Sequence, residues 1–190
     1  MTKMILSVAL ILFCFVQNTN AAVPTLAMTF DTNITTYNFA SSQEAKIQSA
    51  EAKIKRVIGS EEFRTRVLNH TYGGVKRFVD NGGLTNLQIY NKILKGAEKL
   101  QPRENNAMDM GVKLYYENSN TVGYTTTGST NINMNTKFFN TYTSTQVTRN
   151  MMHEWLHKIG FGHAVSYSRA RDYSVPYGIG RIMEELAARY

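Results

Sequence analysis

Apolar residues recur at helical spacing in the first half of the chain. The stretch 41–58 predicts an amphipathic helix, and Ser41 and Glu44 have the spacing of a capping box at its start. A second helix is expected over 61–69. A third is expected over 85–100, after a turn marked by the sequence DNGG.

Segments rich in Val, Ile, Thr and Tyr, separated by Asn, Ser and Gly, are typical of strands and occur mainly in the second half. The predicted strands are 25–30 near the N-terminus, then 110–117, 122–126 and 130–135. A capping-box spacing at Thr143 and Gln146, followed by apolar residues at helical intervals as far as Ile159, predicts one more helix. Helices and strands together indicate a mixed α+β fold.

Residues 1–21 have the layout of a secretory signal peptide. Lys3 is followed by an apolar run, and the small residue Ala21 stands at the expected cleavage site. The run covers 13 residues, whereas a membrane-spanning helix needs roughly 20. We therefore expect an exported protein, secreted or periplasmic, without stable membrane insertion. A retained N-terminal anchor is the alternative.

Cleavage after Ala21 leaves 22–190 as one domain, large enough to bury its own core. It removes Cys14, the only cysteine, so the exported domain has no disulfide. Lys3 is the only charged residue of the removed segment, and the net charge therefore falls from +7 to +6. Lys and Arg are scattered along the chain, which indicates a solvated basic surface and no nucleic-acid partner. A monomer is expected.

Three of the four histidines fall within the sequence HEWLHKIGFGH. His153 and His157 are four residues apart, so a helix places both imidazoles on one face, close enough to bind one metal ion. Glu154 lies beside that face. Gly160 favours the end of the helix, because glycine adopts a left-handed backbone at low cost. The chain can then bring His163 to the metal as a third ligand.

This donor set predicts one catalytic zinc ion. Three neutral nitrogen ligands with an open fourth position suit zinc, which lowers the pKa of its bound water from about 16 to about 7. Glu154 is then placed to take the proton from that water and to pass it to the leaving amine of a peptide. A structural metal site and unrelated surface histidines are the alternatives. His70, which has no ligand-spaced partner, is expected to be structural.

The pattern H-E-x-x-H-x-x-G-x-x-H from His153 to His163 resembles the zinc signature of the metzincin metallopeptidases. Such enzymes carry a methionine in a tight turn beneath the zinc, and Met183, 20 residues beyond His163, resembles this Met-turn. The resemblance implies a metzincin-like zincin fold. Its parts are a twisted, mostly parallel sheet with helices, an antiparallel edge strand over the cleft, and an active-site helix between two subdomains. Strand 130–135 would be the edge strand. The upper subdomain would end near His163, and 164–190 would form a small lower subdomain.

Two positions depart from the family pattern. Ala164 follows the third histidine, where subfamilies commonly have an acid, a serine or a proline, so no subfamily is assigned. Some members place a tyrosine two residues after the methionine to support the oxyanion, whereas this chain has Glu185 there. Tyr173 or Tyr177 from the preceding loop could supply that hydroxyl, and packing is the alternative role for each.

The resemblance implies a secreted zinc-dependent endopeptidase whose protein or peptide substrate binds extended along the edge strand. An exported zinc-stabilised binding protein and a catalytically inactive metzincin-like protein are the alternatives. A binding protein should close the fourth position on zinc with another side chain, yet no further His or Cys lies near the motif. The presence of Glu154 argues against an inactive protein.

Overall fold

Residues 29–190 are described by a computed structural model, and they form a four-stranded sheet with helices packed on it. The predicted signal peptide, 1–21, lies outside the described residues. The strands are β1 (Asp31–Tyr37), β2 (Ala107–Tyr115), β3 (Gly123–Thr125) and β4 (Asn131–Asn135). The helices are α1 (Ser41–Ile58), α2 (Glu61–Leu68), α3 (Asn86–Lys95), α4 (Thr136–Phe139), α5 (Ser144–Lys158) and α6 (Val175–Ala187). A single turn of 3₁₀ helix, Arg171–Tyr173, precedes α6.

The strand order is β1-β2-β4-β3, in which β1, β2 and β4 run parallel and β3 runs antiparallel to β4. Met110 of β2 is paired with Ile34 of β1, and Val112 of β2 with Ile132 of β4. These apolar residues therefore share the face that the helices cover, since alternate strand residues point to the same side. The predicted mixed α+β architecture with a mostly parallel sheet is confirmed.

The antiparallel edge strand is β3, so the expectation that 130–135 forms this edge was wrong. β4 pairs with β2 on one side and with β3 on the other. Ile132 and Met134 of β4 are buried, whereas Tyr124 of β3 is 42% exposed. The strand that supplies two buried apolar side chains takes the inner position, where neighbours cover it. The three-residue β3 takes the edge, where a short strand leaves few backbone groups unpaired.

Helices α1 and α2 form over the predicted stretches, with small differences at the boundaries of the first elements. β1 begins at Asp31, just after the predicted strand 25–30, most of which lies outside the described residues. Helix α1 is capped one residue earlier than expected, because Gln43 Oε1 accepts the backbone N–H of Ala40 at 2.9 Å. The predicted turn at 80–83 forms, with left-handed backbone at its first residue and at both glycines.

Helix α3 ends at Lys95, well before its predicted end, because Gly96 closes it with φ of 67°. A Cβ at Gly96 would lie 2.0 Å from the carbonyl oxygen of Ala107, so only glycine lets the chain pass this close to β2. Helix α5 begins where the sequence predicted. The Thr143 hydroxyl accepts the N–H of Gln146 at 3.3 Å, and Gln146 Oε1 accepts the N–H of Thr143 at 3.0 Å.

Helix α5 runs through the core between the sheet and helices α1 and α6. Trp155 is fully buried and meets the ring of Phe30 edge-on, with ring centroids 5.9 Å apart. One side of α5 is thereby fixed by packing, and residues on its other side border a cleft. Within 29–190, none of the helices combines the length and the apolar character that crossing a membrane requires.

Candidate metal and catalytic site

The three motif histidines converge at the C-terminal end of α5. His153 and His157 stand one turn apart on the helix, which ends at Lys158. The chain then reverses at Gly160, where φ is 102°. The reversal brings His163 back to the helix, so that the Nε2 atoms of His157 and His163 lie 3.3 and 3.2 Å from Nε2 of His153.

Backbone carbonyls accept hydrogen bonds from the rings of His157 and His163. The bonds join His157 to Phe161 at 2.8 Å and His163 to Ala164 at 3.0 Å. Because the Nε2 atoms face one another, the proton of these two rings is placed on Nδ1, where the carbonyl accepts it. The three Nε2 atoms thus face a common position.

The spacing of these nitrogens fits a zinc ion. Two nitrogens bound to zinc at about 2.05 Å in tetrahedral geometry lie roughly 3.3 Å apart, and the two closest separations here are 3.2 and 3.3 Å. In the described part of the chain, this is the one group of three or more His, Cys, Asp or Glu side chains close enough to hold a metal ion. Neutral imidazoles are also ligands that zinc accepts readily.

Burial keeps His153 and His157 neutral. Burial, together with the neighbouring His157 and His163, lowers the pKa of His153 to about 2. Burial also lowers the pKa of His157, against the raising effect of its hydrogen bond to the Phe161 carbonyl. At neutral pH these rings can therefore bind a cation without first losing a proton.

Glu154 lies next to His153 on α5, and its side chain borders the same cleft as the histidines. It is only 4% exposed. Burial raises the pKa of its carboxyl to about 7, and the ammonium group of Lys158, one turn further along, opposes this effect. A carboxyl with such a pKa can both accept and release a proton near neutral pH. Glu154 does not belong to the group of converging metal ligands.

A polar stripe made of Asn150, Glu154 and Lys158 runs along α5 and is buried against the β3–β4 hairpin. Lys158 Nζ donates to the backbone carbonyls of Thr126, at 3.3 Å, and Ser129, which holds the hairpin to the end of the helix. Asn150 and Lys158 were not predicted from the sequence. Their spacing of four residues on either side of Glu154 is the signal that would have revealed them.

The cleft beside α5 has a volume of about 800 Å³. It extends from the histidines along β3 and the loop that follows it, so the edge strand forms one of its walls. Its lining includes His153, Glu154, His157, His163, Tyr124 and Tyr177. A volume in this range is typical of sites that enclose a small ligand or a short piece of peptide.

Met183 does not lie in a turn, so the predicted Met-turn at this position was wrong. It is fully buried inside α6, which continues without a break from Val175 to Ala187. Pro176 occupies the first turn of this helix, where a proline is tolerated. Gly180 does not end the helix and lies against α5, where a Cβ would make an ordinary contact with the Arg149 carbonyl at 3.5 Å.

The side chain packed against the histidines is Tyr177. Its ring centroid lies 4.5 Å from that of His153 and 4.7 Å from that of His163. Its hydroxyl accepts a hydrogen bond from Arg171 Nη2. Tyr173 packs instead against another tyrosine ring at 5.2 Å, and it is not among the residues that line the cleft. Of the two tyrosines that the sequence offered for the site, the structure brings Tyr177 to it.

Comparison with known protein families gives no matching family model, and no curated protein or solved structure matches the chain. The resemblance to metzincins therefore rests on the residues of the motif.

Proposed function

We propose that this protein is an exported, zinc-dependent endopeptidase of the metzincin type. The observation that carries the proposal is the convergence of three imidazole Nε2 atoms next to one buried carboxyl, that of Glu154, in a cleft walled by an edge strand. Each part suits peptide hydrolysis: a site for a metal ion, a group that moves protons, and a surface for an extended chain.

His153, His157 and His163 would hold the zinc ion through Nε2. The ion supplies Lewis acidity, which makes water a better nucleophile and polarises the scissile carbonyl. Glu154 takes a proton from the attacking water and delivers it to the nitrogen of the leaving amine. Its raised pKa suits both transfers, because a group with a pKa near the working pH gains and loses a proton with little cost.

β3 is the surface on which we propose that the substrate binds. It lies at the end of the described sheet, pairs with β4 on one side only, and lines the cleft. A peptide in extended conformation can add to such an edge through backbone hydrogen bonds, which places its carbonyls in regular positions along the cleft. Recognition through the backbone suits an endopeptidase, since it does not require a chain end.

Tyr177 is the residue we propose for supporting the oxyanion. Its hydroxyl oxygen accepts a hydrogen bond from Arg171, so the hydroxyl proton remains available for another acceptor. The ring lies against His153 and His163, and in this proposal its hydroxyl faces the carbonyl that is held at the histidine cluster. A donor held in place before the reaction stabilises developing negative charge without reorganisation.

A zinc-stabilised binding protein is the main competing function, and a catalytically inactive relative is the other. A structural zinc site normally has four protein ligands. Within residues 29–190, the converging group contains only the three histidines. This leaves room for water and a substrate carbonyl, which supports the enzymatic proposal over the structural one.

The direct test is cleavage of a diverse peptide library by the purified protein that starts at Ala22. We expect cuts inside the peptides, loss of cleavage with a chelator, recovery when zinc is added back, and about one zinc per chain by elemental analysis. A protein that carries one zinc per chain and still cuts no peptide would favour the binding-protein alternative. N-terminal sequencing of the exported protein, expected to begin at Ala22 or Val23, tests the proposed signal peptide.

A further inference from the structure

The guanidinium group of Arg171 lies on the wall of the cleft, beside the ring of Tyr177. Arg171 Nη2 donates to the Tyr177 hydroxyl, and Cζ lies 4.5 Å from the centroid of the Tyr177 ring. That ring lies directly against His153 and His163. The Tyr177 ring therefore lies between the positive charge of Arg171 and the imidazoles of His153 and His163.

Arg171 has no acidic partner in the part of the chain that the structure describes. Glu184, an acid that lines the same cleft, pairs with Arg149, whose Nη1 lies 2.8 Å from Glu184 Oε2. The Nε atom of Arg171 is buried and makes no hydrogen bond with any described residue. Within the described residues, the positive charge of Arg171 is thus left without a carboxylate.

Carboxylates are the ligands that such a guanidinium binds best. Arginine presents its N–H groups in a planar fork, which pairs with both oxygens of a carboxylate, and the partly buried wall strengthens the interaction by limiting the access of water. Neighbouring residues of an extended peptide are about 3.8 Å apart, so a residue one or two positions from the scissile bond can reach this wall.

We infer that Arg171 binds a carboxylate of the substrate. That carboxylate is therefore a determinant of cleavage specificity. The carboxylate belongs either to an Asp or Glu side chain close to the scissile bond or to the free C-terminus of a short substrate. The inference rests on the proposed function, because it names the substrate class for that site. The alternative for Arg171 is a purely positioning role, in which it only holds the Tyr177 hydroxyl.

The test uses matched peptides that differ in one carboxylate. In the first kind of pair, one peptide has Glu and the other has Gln at a single position near the cleavage site, and each such position is tested in turn. In the second kind of pair, one peptide has a free C-terminus and the other has an amidated C-terminus. For the pair that carries the relevant carboxylate, kcat/KM should differ by about 10-fold or more, the scale of one charge-assisted hydrogen bond. The pair that shows the difference identifies the source of the carboxylate. Equal kcat/KM values within both pairs would overturn the inference.

Arg171→Gln should bring the ratio of kcat/KM values within that pair close to one, and Arg171→Lys should keep part of it, because the charge remains but the fork is lost. Arg169→Gln is the matched control. It makes the same change of charge two residues away, on an exposed side chain that does not line the cleft, and the ratio should stay as in the unmodified protein. A positioning role predicts a different result, since Arg171→Gln would then lower cleavage of both peptides equally.

Binding to the Glu154→Gln protein gives a second measurement that needs no turnover. Fluorescence anisotropy of labelled peptides should show tighter binding of the carboxylate-bearing peptide, and Arg171→Gln in the same background should remove the preference. If the unmodified protein cleaves no peptide but the Glu154→Gln protein still binds the carboxylate-bearing peptide more tightly, the proposed function fails and the carboxylate site stands. If cleavage occurs without any preference in rate or binding, the proposed function stands and the inference fails.

Discussion

Trp155 donates its indole N–H to Oε1 of Glu98, at 2.5 Å, and both side chains are buried. The same oxygen accepts the backbone N–H of Asp109, at 3.0 Å. Glu98 therefore ties helix α5 to strand β2 one residue beyond Glu154. Burial raises the pKa of the Glu98 carboxyl above its ordinary value of 4.5, and the two hydrogen bonds only partly oppose this.

Replacement of Glu98 by Gln should leave the protein at least as stable at pH 7. A raised pKa in the folded state means that Glu98 contributes stability below pH 4.5, which is lost as the pH rises through the folded-state pKa. The glutamine imitates the protonated side chain and keeps an acceptor for Trp155 and Asp109. The advantage of Glu98→Gln in the free energy of unfolding, measured with urea, should shrink as the pH is lowered toward 4.5.

Glu98→Ala is the contrasting variant, because it removes the acceptor altogether. It leaves the indole of Trp155 and the amide of Asp109 buried without a partner, which costs roughly 1–3 kcal/mol for each. Equal destabilisation by the Gln and Ala variants at pH 7 would show that the fold requires the ionised carboxylate and that burial does not favour the protonated form.

Glu154→Gln should separate metal binding from proton transfer. The glutamine retains the size of the side chain and leaves the three histidines unchanged, so zinc content and thermal stability should stay close to those of the unmodified protein. The value of kcat/KM should fall by roughly 100-fold or more, the scale typical of losing a positioned proton-transfer group. His157→Ala is the companion variant and should lose both zinc and cleavage, because it removes a ligand. Cleavage by Glu154→Gln at the original rate would contradict the proposed mechanism.

The parts of this site that the sequence revealed depend on local rules. The capping residues Thr143 and Gln146 set the start of α5, and the four-residue spacing then places His153 and His157 on one face whatever surrounds the helix. Local spacing was therefore enough to locate the histidine cluster.

The parts that the sequence did not reveal depend on packing between distant segments. Met183 and Tyr177 are both downstream of the motif, and only the way α6 packs on α5 decides that Tyr177 meets the histidines. The sequence likewise did not show that β3, and not β4, forms the antiparallel edge, because this depends on which strand pairs with β2. Gly96 did carry a local signal for the end of α3, but an isolated glycine in a helical pattern is ambiguous until its neighbour Ala107 is known.

Gly160→Ala should weaken zinc binding more than it disturbs the rest of the fold. At φ of 102° an alanine is strained, and its Cβ would lie 2.7 Å from Cε of Lys99. Lys99 can move aside, so the backbone strain decides the outcome, at a cost on the order of 1–3 kcal/mol. Relief of that strain would shift the reversal that carries His163 to the other histidines. The zinc dissociation constant, measured by competition with a chelating dye, should increase.

Gly162→Ala is the matched control in the same loop. A Cβ at Gly162 has no neighbour within 4 Å, and its backbone is not left-handed. Zinc affinity should therefore remain as in the unmodified protein. If both alanine variants bind zinc with unchanged affinity, the conformation of Gly160 is not what positions His163.

His70 should make the protein sensitive to mild acid through its burial. Its ring stacks on Phe78 with centroids 3.9 Å apart, and its Nε2 is buried without a hydrogen bond to any residue in the range 29–190. Burial and, to a smaller extent, the charge of Arg181 lower the pKa of His70 to about 4. Because the folded-state pKa is below the ordinary value of 6.5, the unfolded chain takes up the proton first. The contribution of His70 to stability is complete above pH 6.5 and is lost as the pH falls toward 4.

His70→Phe tests this directly, because phenylalanine can keep the stack on Phe78 and cannot be protonated. The free energy of unfolding should be measured with urea at several pH values between 7.5 and 4.5 for both proteins. His153 and His157 also have lowered pKa values, so both proteins should lose stability in acid. The loss should be smaller for His70→Phe, and the difference between the two curves isolates His70. Parallel curves would mean that His70 takes up its proton as readily in the folded protein as in the unfolded chain. That result is incompatible with a buried Nε2 that lacks a hydrogen-bond partner among the described residues.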